Sequence, residues 1–197
     1  DVTQARQQVN QAAEQVSKQQ AALDHLTAQR RSLARLRQQM NGYYPGVRHV
    51  LRAEERLGGI LGTVASLMRV PKELEQAIES ALGARLQNVV TERWEDAERA
   101  IDDLKSHERG WATFLPLDTI RPRGKARAPR ADDVVGVASE LVEYSPKLSS
   151  VFELLLGRII VVKSLPAARR LLDQSTGASL LVTLEGGYHL QTLRECT

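Results

Sequence analysis

Apolar residues recur at seven-residue intervals through the first forty residues, a stretch that contains neither glycine nor proline. The two rows that they form are Val2, Val9, Val16 and Leu23, and Ala5, Ala12, Leu26, Leu33 and Met40. A heptad repeat of this length predicts a left-handed coiled-coil arm, about 60 Å long at 1.5 Å per residue. Gln19, Arg30 and Arg37 interrupt the seam, and an amphipathic helix lying on the following domain is the alternative.

The hydrophobic period changes repeatedly after Asn41-Gly42, a pair that ends the predicted arm because both residues tolerate a left-handed turn. Helical spacing predicts a helix from Pro71 through Leu82. The elements predicted after it are strand 86–91, helix 94–105, strand 111–117, strand 134–138, helix 147–156, strand 158–162, helix 166–172 and strand 178–184. Residues 47–56 and 60–70 fit either a strand or a helical turn. This alternation predicts a mixed α/β (α+β) domain.

Two stretches of this domain resemble each other. Gly59 to Lys72 (GILGTVASLMRVPK) and Val135 to Lys147 (VGVASELVEYSPK) both place a glycine before Val-Ala-Ser and end an apolar run at Pro-Lys. The match continues in the same order through Leu82-Gly83 and Leu156-Gly157 to two later strands. Such self-similarity predicts a single domain made of two related halves. Chance similarity between short apolar motifs is the alternative.

A basic stretch separates the two halves. Residues 121–130 (RPRGKARAPR) hold two prolines, a glycine and no acid, which predicts an exposed, flexible connector that buries nothing. Its cationic side chains are candidates for phosphate contact, as is a second group near the end of the arm, and a solvated loop is the alternative. The candidates are Arg121, Arg123, Lys125, Arg127 and Arg130 in the connector, and Arg30, Arg31, Arg35 and Arg37 in the arm.

Composition leaves the domain itself close to neutral. The chain has 197 residues and a formal net charge of +3, and residues 1–40, with six basic and three acidic side chains, carry the excess. The single cysteine, Cys196, excludes an internal disulfide and favours a reducing compartment. The apolar runs are far shorter than a membrane helix requires, and no signal-peptide pattern opens the sequence. We therefore expect an internal fragment or a cytoplasmic protein.

The sequence offers little catalytic chemistry. His25, His49, His107 and His189 lack the spacing of metal ligands, so we expect no metal site. No nucleophile elbow is present, and the glycines at 58, 59 and 62 are not followed by the Lys-Ser/Thr of a phosphate-binding loop. The sequence therefore offers no candidate catalytic residues.

Taken together, these features resemble the hinge domain of structural maintenance of chromosomes (SMC) proteins, most closely the bacterial homodimeric type. The resemblance covers residues 45–185 and is carried by GGILGTVASLMRV, AIESALGARLQNVVTERWEDAERAIDDLK, ATFLPLD and VVGVASELVEY. The corresponding segments are a coiled-coil arm (1–42), hinge subdomain I (43–120), a basic linker (121–132) and a C-terminally incomplete hinge subdomain II (133–197).

The resemblance also implies a function. Family hinges dimerise head to tail through two pseudo-symmetric subdomains, join two coiled-coil arms and contact DNA in chromosome condensation and segregation. The arm would pair with a helix beyond Thr197, and ATP and Mg²⁺ would bind only at distant head domains, so we expect neither a cofactor nor enzymatic activity in these residues. Paired glycines near the last strand would lie at the dimer contact, and the candidates are Gly136, Gly186 and Gly187. We expect a cytoplasmic, nucleoid-associated homodimer that binds DNA and no membrane.

Two other functions stay open. A stand-alone nucleic-acid-binding module would use the basic loop 121–130, and its dimerisation would be incidental. A small-molecule enzyme that uses the cleft between the halves is opposed only by the absence of site motifs.

Overall fold

The computed structural model describes residues 15–16, 18–20, 23, 26–27, 42–172, 174, 176–185 and 189–191. The chain divides into two units, Asp1–Tyr43 and Tyr44–Thr197. In the first unit every described position from 15 to 27 is helical, as the heptad pattern predicts. Val16, Leu23 and Leu26 of this helix are 63%, 60% and 64% exposed, so most of their apolar surface is accessible.

The second unit contains two successive sets of elements. Half I (residues 44–120) contains the helices α1 (Pro45–Arg52), α2 (Glu54–Leu57), α3 (Glu75–Leu82) and α4 (Trp94–Ser106), and the strands β1 (Ile60–Thr63), β2 (Met68–Arg69), β3 (Val89–Thr91) and β4 (Phe114–Pro116). Half II (residues 133–197) contains α5 (Ala138–Leu141), α6 (Ser149–Leu156) and α7 (Leu165–Leu172), and β5 (Val134–Val137), β6 (Glu143–Tyr144), β7 (Ile159–Val162), β8 (Leu180–Thr183) and β9 (His189–Gln191). Short 3₁₀ helices cover Val64–Leu67, Lys72–Leu74, Gly83–Gln87 and Pro146–Leu148.

The two halves share one sheet topology. The sheet of half I has the order β1-β3-β4, and that of half II has the order β5-β7-β8-β9. In each sheet the first pair of strands is antiparallel and the second pair is parallel. A register shift interrupts each antiparallel pair next to a glycine of positive φ, Gly62 (135°) and Gly136 (150°). The predicted repeat is therefore confirmed as a repeated structure.

The two glycines also correct the sequence alignment of the repeat. Gly62 lies opposite Val90 and Gly136 lies opposite Val161, so these glycines occupy equivalent places in the two sheets. Aligning the halves on their Val-Ala-Ser triplets shifts this equivalence by one position and is wrong. Both triplets lie where a strand gives way to a short helical turn, but Val64 is the first residue of its turn whereas Val137 is the last residue of β5.

Strands β2 and β6, which are equivalent between the halves, pair with each other. The pairing is antiparallel, with Met68 opposite Tyr144 and Arg69 opposite Glu143. Because each half contributes the same strand edge in opposite directions, the halves are related by an approximate two-fold axis through this pair.

One hydrophobic core spans both halves. Its members from the two equivalent helices are Ala77, Ile78, Ala81 and Leu82 of α3, and Val151, Phe152, Leu155 and Leu156 of α6. Val90 of β3 and Val161 of β7 belong to the same cluster. Since each half covers apolar surface of the other, we infer that neither half retains its core alone. This mixed helix and strand architecture confirms the predicted fold class.

Local contacts determine the element type of residues 47–56 and 60–70, which the hydrophobic pattern left open. The first stretch is helical: Pro45 lies in the first turn of α1, where its missing N–H costs no hydrogen bond, and Val47 and Val50 are buried. In the second stretch the N–H of Ser66 donates to Oγ1 of Thr63 at 3.3 Å, and the N–H of Thr63 donates to Oγ of Ser66 at 3.0 Å. This capping box ends β1 and starts a 3₁₀ helix.

Candidate functional site

The basic connector packs along half II. Ala126 is 6% exposed and belongs to a second apolar cluster with Ile160 and Leu171. The N–H of Ala126 donates to the carbonyl oxygen of Gly157 at 2.7 Å, and the N–H of Arg127 donates to that of Thr176 at 2.8 Å. The prediction of a flexible connector that buries nothing is wrong here, because small alanines alternate with the arginines and can face the core while the charges stay in water.

Lys125 fastens the connector to half II. Its Nζ lies 3.5 Å from Oε1 of Glu140 on α5 and 3.4 Å from Oε1 of Glu153 on α6. Burial opposes the charge of this amine, but the two carboxylates outweigh that effect and raise the pKa of Lys125. Among the predicted DNA contacts of the connector, all of which the structure describes, Lys125 is thus the one whose charge is compensated by carboxylates of the protein.

The other cationic side chains of the connector are exposed. They are Arg121, Arg123, Arg127 and Arg130. Nη1 of Arg121 donates to the carbonyl oxygens of Asp118 and Ile120, at 2.9 and 3.0 Å, which directs this guanidinium along the chain. In the described part of the chain none of these four arginines forms an ion pair. The packed backbone therefore presents several uncompensated positive charges from a fixed path.

The remaining predicted site residues are placed less fully. Arg30, Arg31, Arg35 and Arg37 of the arm lie outside the described residues, as do Gly186 and Gly187. Gly136 lies in β5, and a Cβ built there would come 3.3 Å from Cδ2 of Leu141. The register shift of β5 and the packing of Leu141 thus explain why a glycine is needed at this position of half II. This explanation does not depend on a dimer contact.

A cationic cavity that the sequence pattern did not single out lies beside α1. It has a volume of ≈ 530 Å³ and is lined by Pro45, Arg48, His49, Arg52, Glu108, Arg109 and Gly110. Arg48 and Arg52 are four residues apart. In a helix over residues 45–52 this spacing places both arginines on the same face. Sequence reasoning missed the pair because this stretch had no assigned element type.

Two histidines and an aspartate meet where α1 crosses the end of α4. Nε2 of His49 lies 2.7 Å from Oδ2 of Asp103, and Nδ1 of His107 lies 3.5 Å from Oδ1 of the same carboxylate. Nη2 of Arg56 donates to that Oδ1 at 2.7 Å. The hydrogen bonds from Arg56 and His49 outweigh the burial of Asp103 and hold the pKa of this carboxyl below its ordinary value. Spacing along the chain places only Asp103 and His107 near each other, four residues apart at the end of α4. It gives no sign of His49, which lies on α1.

Comparison with known proteins bears on the whole second unit. Residues 57–172 match the family model described as SMC proteins Flexible Hinge Domain. The chain is 44% identical over 151 residues to the chromosome partition protein Smc of Bacillus subtilis, an alignment that covers 74% of this chain and 13% of that protein. It is 40% identical over 140 residues to the protein of the same name from Methanocaldococcus jannaschii, covering 71% of this chain and 12% of that protein. The chain thus spans only a small part of these relatives.

Solved structures show the same fold. The hinge domain of Geobacillus stearothermophilus SMC, crystallised as an asymmetric dimer, superposes with a TM-score of 0.70 at 38% identity, covering 89% of this chain and 74% of that one. The hinge domain of the Pyrococcus furiosus SMC protein gives a TM-score of 0.60 at 29% identity, covering 83% of this chain and 89% of that one. Among the described residues, no helix is both long enough and apolar enough to cross a membrane.

Proposed function

The chain belongs to the flexible hinge domain family of SMC proteins, and from this premise we propose that it is a homodimerisation hinge that joins two coiled-coil arms in chromosome segregation and condensation. The observation that carries the proposal is the pairing of β2 with β6 around an approximate two-fold axis, because it builds the two-halved body that a head-to-tail dimer requires. The role is architectural, with ATP and Mg²⁺ expected at head domains elsewhere in the full protein. The protein then acts in the cytoplasm, at the nucleoid.

Two further observations support pairing with other chain segments. The hinge domain of Geobacillus stearothermophilus, at 38% identity, is a dimer in its crystal. Val16, Leu23 and Leu26 of the arm helix expose most of their surface in the single chain, and apolar seam positions of a coiled coil are covered by a partner helix. We infer that this partner is a returning helix of the same full-length protein, beyond Thr197.

Absolute mass in solution tests the dimer. Sedimentation equilibrium over a concentration series is expected to give twice the chain mass of 21.9 kDa, and a double change of Gly186 and Gly187 to glutamate is expected to return it to one chain mass. Buried like charges would face each other across a symmetric contact, which explains the dissociation. Lys72→Glu, which places a carboxylate on an exposed position of half I, is the control and should stay dimeric. One chain mass for the unaltered protein at every concentration would contradict the proposal.

We infer further that the hinge contacts DNA through the exposed arginines of the connector, with the arm arginines Arg30, Arg31, Arg35 and Arg37 as a second contact. The connector arginines project from a backbone fixed by Ala126 and Lys125, so they meet a phosphate backbone with little ordering cost. A stand-alone nucleic-acid-binding module is the second candidate function. DNA binding by a protein that stays monomeric would indicate this second function.

The salt dependence of DNA binding tests the connector. Replacing Arg121, Arg123, Arg127 and Arg130 with glutamine is expected to flatten the plot of log affinity against log salt by about 0.9 for each phosphate that the variant no longer neutralises. Lys72→Gln, which removes an exposed positive charge of half I outside the connector, is the control and should leave the slope nearly unchanged. Anisotropy of a labelled duplex at several salt concentrations gives both slopes. An unaltered slope in the fourfold variant would exclude the connector as a DNA contact.

A further inference from the structure

The cluster of His49, Asp103 and His107 has the composition of a metal site. We propose that these three side chains bind one divalent transition-metal ion of the Zn²⁺ class, and that the ion holds α1 against the end of α4. One ligand atom from each residue lies within 4.8 Å of the others. Imidazole nitrogen and carboxylate oxygen are the donors that Zn²⁺ and its neighbours in the first transition series take in proteins.

The distances require only small side-chain movements. With bonds of about 2.0–2.1 Å, ligand atoms around a tetrahedral ion lie roughly 3.3 Å apart. Nε2 of His49 and Oδ2 of Asp103 are closer than this, at 2.7 Å. Nδ1 of His107 lies 3.5 Å from the other carboxylate oxygen, Oδ1, and 2.8 Å from the backbone carbonyl oxygen of Asp103, so this ring must turn to bind the ion. The His49 and His107 rings are tilted, with centroids 5.3 Å apart. The side chain of His107 is 50% exposed, so it has room to turn toward the ion.

A second layer of contacts orients the carboxylate. The side chain of Asp103 is only 7% exposed, and Arg56 donates to its Oδ1 at 2.7 Å. This hydrogen bond leaves Oδ2, the oxygen beside His49, to serve as the ligand. Partners of this kind fix the direction of a ligand and are a regular part of protein metal sites. Asp103 thus has both a buried position and an oxygen, Oδ2, whose hydrogen bond with Nε2 of His49 the ion would replace.

The adjoining cavity supplies the fourth position and sets the strength of binding. His49 lines the cavity of ≈ 530 Å³, which also contains Glu108 and has ample space for a water ligand. Arg48, Arg52 and Arg109 line the same cavity, and their positive charge opposes a cation. Three protein ligands in this field predict affinity in the micromolar range, weaker than that of a closed structural zinc site.

Titration of the intact, tag-free protein with ZnCl₂ tests the proposal, in a Cys196→Ser background that removes the single thiol. Calorimetry is expected to show one ion per chain, with affinity at least tenfold lower after His107→Ala. Substitution of His189 or His25, the two histidines outside the cluster, is the matched control and should leave affinity unchanged. The midpoint temperature of thermal unfolding is expected to rise by several degrees with Zn²⁺, because the ion binds the folded state, and this rise should vanish in His107→Ala.

The choice of His107 keeps the test decisive, since its exposed ring can be removed with little effect on folding, which circular dichroism of the variant verifies. Co²⁺ provides an independent reading, because the ion in a four-coordinate site of nitrogen and oxygen ligands absorbs visible light far more strongly than the hydrated ion. No stoichiometric binding of either ion would overturn the proposal. Equal affinity in the His107→Ala and His189→Ala variants would overturn it as well, since the ion would then bind elsewhere.

Discussion

Phe152→Ala is expected to lower the free energy of unfolding by about 3–5 kcal/mol. The ring is fully buried in the core that both halves share, and it stacks on Tyr144 of β6 with centroids 4.5 Å apart. Removing the ring leaves a cavity between the two halves. It also removes the stacking partner of Tyr144 on β6, the strand that pairs with β2. Urea unfolding followed by far-ultraviolet circular dichroism measures this destabilisation.

The tryptophans show whether the two halves unfold together. Both of them, Trp94 and Trp111, lie in half I, while Phe152 lies in half II. If the shared core makes the halves one cooperative unit, Phe152→Ala shifts the tryptophan fluorescence transition by the same amount as the circular dichroism transition. An unmoved fluorescence transition would mean that half I is stable by itself.

Two further variants calibrate this experiment. Leu154→Ala removes a side chain of the same helix that is 41% exposed, and it is expected to cost less than about 1 kcal/mol. Phe152→Leu keeps most of the buried volume and should cost under about 1.5 kcal/mol, so a folded protein is available if the alanine variant unfolds. A cost for Phe152→Ala no larger than that for Leu154→Ala would refute the shared core.

The repeat made most of the hinge fold predictable, because it duplicates the central strands and the helices that pack on them, and the duplicates agree. Helical spacing at Ala77, Ile78, Ala81 and Leu82 recurs in α6, and the β-branched run at 159–162 confirms the buried strand suggested at 89–91. The pairing of β2 with β6 was out of reach, because two-residue strands carry no periodic signal. The pairing of these strands depends on the core that α3 and α6 share, two helices that are distant in the chain.

The candidate sites depended on the fold to a greater degree. The positive charges of residues 121–130 are evident in the sequence. The sequence does not show that Lys125, unlike its arginine neighbours, forms ion pairs with Glu140 of α5 and Glu153 of α6. The cluster at Asp103 combines residues of α1, α2 and α4, and only the spacing of Asp103 and His107 is local. Helical spacing predicts that such a pair shares one face. It does not predict that His49 lies opposite.

Gly46→Ala is expected to destabilise the hinge by about 2–3 kcal/mol, although alanine favours a helix over glycine by up to about 1 kcal/mol. A Cβ at this position of α1 would come 2.2 Å from the carbonyl oxygen of Trp111 and 2.6 Å from its carbonyl carbon. Both atoms belong to the backbone, so no side-chain rotation relieves the overlap, and α1 must separate from the segment that crosses it. Steric overlap therefore outweighs helix propensity.

Matched glycines separate this overlap from other effects of alanine. Gly124 has a φ of +88° and open space around its Cβ position, so Gly124→Ala is expected to show a backbone cost alone, about 1–2 kcal/mol. A Cβ added at Gly42, where φ is not in the positive region, would meet no described atom within 4 Å, and Gly42→Ala should be nearly neutral. In a Trp94→Phe background, Gly46→Ala should also change the near-ultraviolet circular dichroism of Trp111, which the two controls leave intact. If Gly46→Ala were as mild as Gly42→Ala and left that signal unchanged, α1 would not be held by the crossing at Trp111, and the cluster at His49 would lose its rigid support.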